Sequence, residues 1–122
     1  MKAVISVPEK GRDIPVGDTS TNILNVGDNI TALTNTTVVI KCPVSGVPKP
    51  KITWLRDGQE IISGEKYTID ESGTLSMSSL EKGDGGRFTC HARNRFGEDS
   101  RTTKTNIVGK FANKNIGIGN NM

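Results

Sequence analysis

The chain has 122 residues and a net charge of +3, with 24% charged and only 4% aromatic residues. This length suits one domain of about 85–100 residues with flanking segments. The chain lacks the dense basic stripe typical of nucleic-acid binding, and no apolar run approaches the roughly 18 residues of a membrane-spanning helix. Residues 1–9 hold no apolar stretch of the length that a signal peptide needs. We therefore expect an extracellular chain of this kind to be a piece of a longer protein.

Three segments differ in composition. Proline and glycine interrupt residues 1–21, which we predict to be a linker with at most one short strand. Residues 22–109 contain short alternating apolar runs with turn signals about every 8–12 residues, which is typical of an all-β domain. Residues 110–122 are rich in Asn and Gly, which predicts a flexible tail.

The alternating runs place individual strands. Residues 30–33 read as an edge strand, and the turn after them sets Asn35 where a positive φ is tolerated. Alternation sends Cys42 and Trp54 inward from their strands, and Asp57-Gly58 is a strong hairpin signal. Further strands are predicted at residues 61–62, 67–69, 74–77, 87–93 and 102–108, and a further hairpin turn at residues 94–97.

Cys42 and Cys90 stand about 48 positions apart, and Trp54, the single tryptophan, follows the first cysteine by about a dozen residues. Further motifs accompany this trio: Gly-Val-Pro-Lys-Pro at residues 46–50, Leu75 and Leu80, Asp-Gly-Gly-Arg-Phe-Thr-Cys at residues 84–90, and Ala-Arg-Asn-Arg-Phe-Gly at residues 92–97. Together they resemble the I-set domain of the immunoglobulin superfamily over residues 23–108. In overall look the chain is most similar to I-set modules of secreted matrix proteins of the ADAMTS-like and papilin group.

The resemblance implies an antiparallel β-sandwich in which one disulfide between Cys42 and Cys90 joins the two sheets. It also implies a core that includes Trp54, Phe88 and Leu75. In a cytosolic, muscle-type immunoglobulin domain the two cysteines would instead be buried thiols, and this alternative stays open.

One position departs from the family pattern. Phe88 stands where the family usually carries a corner tyrosine, so no hydroxyl is available there to bond the backbone upstream. In many relatives the aspartate of this motif pairs with a base. The resemblance therefore predicts a basic partner for Asp84, with Lys66 as the candidate.

Alternation on the Cys90 strand and its neighbours predicts a basic outer face, formed by Lys51, Arg87, His91, Arg93 and Lys104. Acidic residues are expected mainly on the other half of the domain. This face, or the exposed Phe96 beside Arg95 at the hairpin tip, is the predicted site for an anionic partner, either a protein surface or heparan sulfate or another polyanion. The alternatives are an ordinary solvated sheet face and a phenylalanine ring that folds back on its own hairpin.

Asn29 and Asn35 each begin an Asn-x-Thr acceptor sequence for N-glycosylation. With this content of Asn, Ser and Thr, chance alone produces about two such sequences. They are thus compatible with secretion without arguing for it. Asn35, in a predicted exposed turn, is the better acceptor.

The residue inventory indicates neither catalysis nor a metal or cofactor. The chain has one histidine, His91, whose side chain is predicted to face away from that of Cys90. We expect a non-catalytic binding or spacing module of a larger secreted, matrix-associated protein, with no nucleic-acid partner and no direct membrane insertion. A purely structural spacer and an intracellular domain of cytoskeletal type are the alternatives, and the sequence predicts no oligomeric state.

Overall fold

The computed structural model of the protein describes residues 1–17 and 19–109, so the predicted tail at residues 110–122 lies outside the described residues. Within them the chain forms strands joined by short turns, and one 3₁₀ helix. In chain order these are β1 (Val4–Ile5), β2 (Asp13–Ile14), β3 (Thr21–Asn25), β4 (Asn29–Leu33), β5 (Thr37–Lys41), β6 (Val44–Ser45), β7 (Lys51–Arg56), β8 (Gln59–Ile61), β9 (Tyr67–Ile69), β10 (Leu75–Met77), the 3₁₀ helix Lys82–Asp84, β11 (Gly86–Asn94) and β12 (Gly97–Val108).

The strands form two principal layers. One sheet has the order β2-β4-β12-β11-β7-β8 and the other the order β3-β5-β10-β9, while β1 pairs separately with β6. The central pairs of both sheets are antiparallel. Three pairs on one side of the sandwich are parallel, namely β12 with β4, β2 with β4, and β3 with β5. The predicted all-β sandwich is therefore confirmed, and its sheets are mixed on that side.

The core lies between the layers because alternate side chains of each strand face inward. A disulfide joins Cys42 to Cys90 across the two sheets. Trp54, Phe88 and Leu75 pack around it and are almost completely buried. On β12, Thr103, Thr105 and Ile107 are also buried, as alternation along that strand predicts.

The indole of Trp54 is held by a turn of the facing sheet. Its Nε1 donates a hydrogen bond of 2.7 Å to the carbonyl of Gly73. Gly73 has φ of 87°, and a Cβ at this position would lie 2.2 Å from Cδ1 of Ile52. Only glycine meets both the backbone conformation and the space available beside the indole.

The prediction of a linker at residues 1–21 with at most one short strand is wrong. Both β1 and β2 fall in this segment, Ala3 and Ile5 are buried in the core, and the backbone N of Ile5 donates to Oδ2 of Asp99 at 2.8 Å. The strands are too short to show alternation, and prolines and glycines separate them. Because β2 lies outside β4, residues 30–33 are not an edge strand either.

Residues 13–17 and 19–27, which we call the β2–β3 excursion, contribute one strand to each sheet. β2 lies beside β4 in the six-stranded sheet, and β3 lies beside β5 in the four-stranded sheet. Arg12 and Asp28 meet at the base of the excursion, where a guanidinium nitrogen of Arg12 lies 2.8 Å from Oδ2 of Asp28. The excursion thereby adds an outer strand to each sheet.

Candidate functional site

The predicted ligand face is the outer surface of the six-stranded sheet. Residues directly opposite each other on neighbouring strands share a face. Arg93 lies opposite Lys51 of β7, and Arg87 lies opposite Lys104 of β12. The four permanent cations therefore form two pairs at opposite ends of β11, about 20 Å apart at the usual rise per residue of a strand.

Two carboxylates also lie on this face. Glu98 lies opposite Arg93, and its Oε1 is 2.5 Å from Nε2 of His91. The hydrogen bond and the charge of His91 lower the pKa of Glu98. Glu60 of β8 lies opposite Leu55 on the same face. The expected separation of acidic from basic residues is thus wrong at Glu98 and Glu60, because strand register brings them there.

One basic pair borders a concave surface. A depression of about 420 Å³, which we call the basic depression, is lined by Lys51, Thr53, His91, Arg93, Asn94 and Arg95. Lys51, Arg93 and Arg95 are exposed there, while the carboxylate of Glu98 is engaged by His91. Three cations around a shallow concavity suit an anionic group.

The amide of Asn94 connects the β11–β12 hairpin to the loop before β7. Its Nδ2 donates to the carbonyls of Pro48 and Met1 at 3.0 and 2.7 Å, and its Oδ1 accepts a bond of 3.0 Å from the backbone N of Phe96. The hydrogen bonds of the Asn94 side chain therefore fix the hairpin at the rim of the basic depression.

Phe96 stands at the hairpin tip with 55% of its surface exposed. The guanidinium carbon of Arg95 lies 4.9 Å from the centre of its ring, which is the geometry of a cation–π contact. The ring therefore remains accessible and also contacts its own hairpin. This combines the two alternatives considered from the sequence.

The two acceptor asparagines differ in their surroundings. Nδ2 of Asn29, the atom that would carry a glycan, donates to Oδ1 of Asp13 at 3.1 Å, and its Oδ1 accepts from the backbone N of Lys104 at 3.2 Å. Asn35 is exposed in the β4–β5 turn with φ of 62°. The geometry favours Asn35 as the acceptor.

The turn before β11 contains the ion pair that the resemblance predicts. Nζ of Lys66 lies 2.9 Å from Oδ2 of Asp84, and the backbone N of Glu81 donates to the same carboxylate at 2.7 Å. Burial opposes ionisation of Asp84, but these two hydrogen bonds and the positive charges of Lys66 and Arg56 together outweigh it, so the pKa of Asp84 is lowered.

Arg56 has a role that sequence reasoning missed. Its guanidinium donates to the carbonyl of Gly85 at 2.7 Å and also to that of Gly83, and its central carbon lies 6.0 Å from the ring centre of Phe88. Arg56 thus connects β7 to the turn before β11 by hydrogen bonds to backbone carbonyls. Phe88 lacks the hydroxyl with which a corner tyrosine would bond the backbone upstream, and this absence could have indicated from the sequence that another side chain donates there.

The described ranges contain neither a candidate metal site nor a membrane-spanning helix. Across residues 1–17 and 19–109, no three His, Cys, Asp or Glu side chains gather in a group that could hold a metal ion. No helix in this part of the chain has the length and hydrophobicity to cross a bilayer.

Comparison with known proteins agrees with the fold and the motifs. The model of the immunoglobulin I-set domain matches residues 21–107. Immunoglobulin superfamily member 10 of Mus musculus is 33% identical over 101 residues, which cover 75% of this chain and 4% of that protein. Matrix-remodeling-associated protein 5 of Homo sapiens is 42% identical over 67 residues, which cover 53% of this chain and 2% of that protein.

Among solved structures, neural ectodermal development factor IMP-L2 is similar with a TM-score of 0.64 and 28% identity, over 69% of this chain and 41% of that chain. The chain therefore spans only a small part of the curated relatives it matches, and less than half of this structural neighbour.

Proposed function

Because this chain belongs to the immunoglobulin I-set family, we propose that it is a non-catalytic binding or spacing module of a longer extracellular protein. The disulfide between Cys42 and Cys90 supports an oxidising compartment. The matched relatives are many times longer than the chain, and one of them is named for matrix remodelling. A secreted matrix protein is therefore the proposed parent, with the ADAMTS-like and papilin group as the finer proposal that motif resemblance suggests.

The basic depression is the observation that supports recognition by this module. Lys51, Arg93 and Arg95 surround it, and Phe96 offers an accessible apolar anchor on the same hairpin. Aromatic and arginine side chains are the usual anchors of protein interfaces. The proposed partner is a compact acidic patch on another protein, bound with strong salt dependence because the cations are exposed.

Heparan sulfate or another polyanion is the competing partner, and the spacing of the cations separates the two. A compact acidic patch needs only Lys51, Arg93 and Arg95. An extended polyanion gains more from contacting the second pair, Arg87 and Lys104, as well. Glu98, which lies opposite Arg93 and bonds to His91 on the stretch between the pairs, opposes such a long contact.

Charge reversal tests the proposal. The paired changes Lys51→Glu and Arg93→Glu alter the basic depression, while Arg87→Glu and Lys104→Glu make the same change in charge at the other end of β11. On an immobilised peptide of about four glutamates, which is too short to bridge the two pairs, we expect retention of the unchanged chain and of the Arg87/Lys104 variant in low salt, and loss of retention for the Lys51/Arg93 variant. On heparin, equal losses for both variants would instead favour the polyanion. Elution of the unchanged chain in the void volume of both columns in low salt would favour a spacer without a ligand of its own.

The intracellular alternative has a separate test. A cytoskeletal-type domain would carry reduced cysteines at positions 42 and 90 when isolated from its native source. Alkylation without reductant distinguishes the two compartments, because it modifies thiols and leaves a disulfide intact.

A further inference from the structure

β3 is the outer strand of the four-stranded sheet and is paired on one side only, with β5. In a parallel pair, alternate residues of a strand direct their backbone groups toward the neighbour. The carbonyl of Ser20 and the backbone N of Val26 bond to β5 at 2.9 and 2.8 Å. Residues 20, 22, 24 and 26 therefore direct their backbone groups toward β5, and the N–H and C=O groups of Thr21, Ile23 and Asn25 point away from β5.

Two of these three residues have unpaired outward backbone groups. The backbone N of Asn25 donates to Oδ2 of Asp28 at 3.1 Å, and its carbonyl accepts from the N of Asp28 at 3.1 Å. For Thr21 and Ile23, no partner of their outward backbone groups occurs among the described residues. These groups form a short template for another strand.

The other outer strands of the two principal sheets are poorer templates. β2 has two residues and carries Asp13, β8 has three residues and carries Glu60, and β9 has three residues. β3 has five residues, Thr-Asn-Ile-Leu-Asn, without charge or proline. Its Ile23 is 60% exposed, whereas natural edge strands are usually protected by charges, proline or shortness.

We propose that β3 docks a second copy of this chain, with the two strands antiparallel about a two-fold axis at Asn22. Thr21 of one copy then lies opposite Ile23 of the other. Such a pair exchanges both of its backbone hydrogen bonds, and the symmetry makes four bonds in all. The side chains of Thr21 and Ile23 become cross-strand neighbours, which covers the exposed isoleucine of each copy.

A second copy fits this strand because the pairing is self-complementary. The outward groups of Thr21 and Ile23 supply two donors and two acceptors at the spacing that the same residues of the partner require. β3 itself carries no charge, and the basic pairs at Arg87 and Arg93 lie on the outer face of the other sheet. Two copies with a net charge of +3 can therefore meet here without opposing those cations.

Sedimentation equilibrium of the full chain without glycan tests the proposal, over concentrations from about 10 μM to 1 mM. We expect the mass to rise from monomer toward dimer. Ile23→Pro removes the outward N–H and no bond to β5, so it should weaken dimerisation about ten-fold or more. Ile23→Lys, which sets a cation into the contact, provides a second variant with the same expected direction.

Ile62→Lys is the matched control, because Ile62 is 75% exposed and follows β8 at the far edge of the other sheet. It should dimerise like the unchanged chain, with circular dichroism confirming that all variants are folded. An unchanged chain that stays monomeric over the whole concentration range would overturn the proposal, as would folded Ile23 variants that dimerise like the unchanged chain. An equal loss in Ile62→Lys would place the contact at β8 and would also overturn it.

Discussion

The carboxylate of Asp28 accepts hydrogen bonds from both the backbone and the guanidinium of Arg12. The backbone N of Arg12 lies 2.8 Å from Oδ1, and Nη2 lies 2.8 Å from Oδ2. The backbone N of Asn25 donates to Oδ2 as well. Asp28 is 5% exposed, so one nearly buried carboxylate joins both ends of the β2–β3 excursion.

Asp28→Asn should destabilise the domain by about 1–3 kcal/mol, because the amide keeps one acceptor oxygen but sets an NH2 donor against the groups that now donate to Oδ2. Burial opposes ionisation of Asp28, but the hydrogen bonds from Arg12 and Asn25, together with the charge of Arg12, outweigh it and lower the pKa of Asp28. A pKa lowered in the folded state contributes stability above the unfolded value of about 3.9, and this contribution is lost as pH falls through the folded pKa.

Urea unfolding at neutral and acidic pH measures both effects. The loss caused by Asp28→Asn should be large at neutral pH and should shrink in acid. Asp13→Asn, an exposed change within the same excursion, is the control. Identical urea midpoints for Asp28→Asn and the unchanged chain would contradict this account of the hydrogen bonds to Asp28.

Arg56→Met should lower the free energy of unfolding by about 1–3 kcal/mol, because the carbonyls of Gly83 and Gly85 lose their donor. Arg56→Lys keeps the charge but not the planar fork, so it should recover only part of the loss. Urea unfolding measures the difference. Leu55→Met, on the neighbouring half-buried position, controls for the new side chain, and equal stabilities for Arg56→Met and Leu55→Met would show that the turn does not depend on Arg56.

Replacing both Cys42 and Cys90 by alanine should cost about 2–5 kcal/mol of unfolding free energy. The disulfide closes a sequence separation of 48 residues, and its loss lets the unfolded chain explore more conformations. Guanidinium unfolding of the oxidised, reduced and double-alanine forms measures the cost. Intact mass should rise by about 2 Da on reduction of material from a secretory host, and no change would mean that the bond does not form there.

Expression in a secretory host should place an N-glycan on Asn35 and leave Asn29 unmodified. The amide of Asn29 is hydrogen-bonded to Asp13, whereas Asn35 is exposed in a turn. Endoglycosidase treatment followed by mass spectrometry measures occupancy. Asn35→Gln should remove the glycan and Asn29→Gln should not, and the reverse pattern would refute the assignment.

Local chemistry predicted much of the fold. Asp57 and Gly58 form the hairpin turn with φ of 49° and 88°, and Asn35 takes the positive φ that its turn requires. The resemblance to I-set domains, carried by the motif around Asp84, predicted a basic partner for Asp84 and named Lys66 as the candidate. These predictions depend on residues close in sequence or on motifs of fixed spacing, which a single chain displays directly.

The candidate site was predicted less completely. Alternation placed Lys51 and Arg93 on the outer face, and the structure sets them side by side. It did not predict Glu98 beside Arg93 or the bond from Glu98 to His91. Which residues lie opposite each other depends on strand register, and a shift of one residue would change every neighbour on the face.

By itself, the sequence determined the class of fold, the strands with clear alternation, the main turns and the motif trio of Cys42, Trp54 and Cys90, because these follow from local backbone preferences and spacing. Only the tertiary structure decided the burial of Ala3 and Ile5, the β2–β3 excursion with the Arg12–Asp28 contact at its base, and the division of the basic face. The physical reason is that contacts between distant segments set these features, and short strands separated by prolines and glycines carry too little local pattern to reveal them.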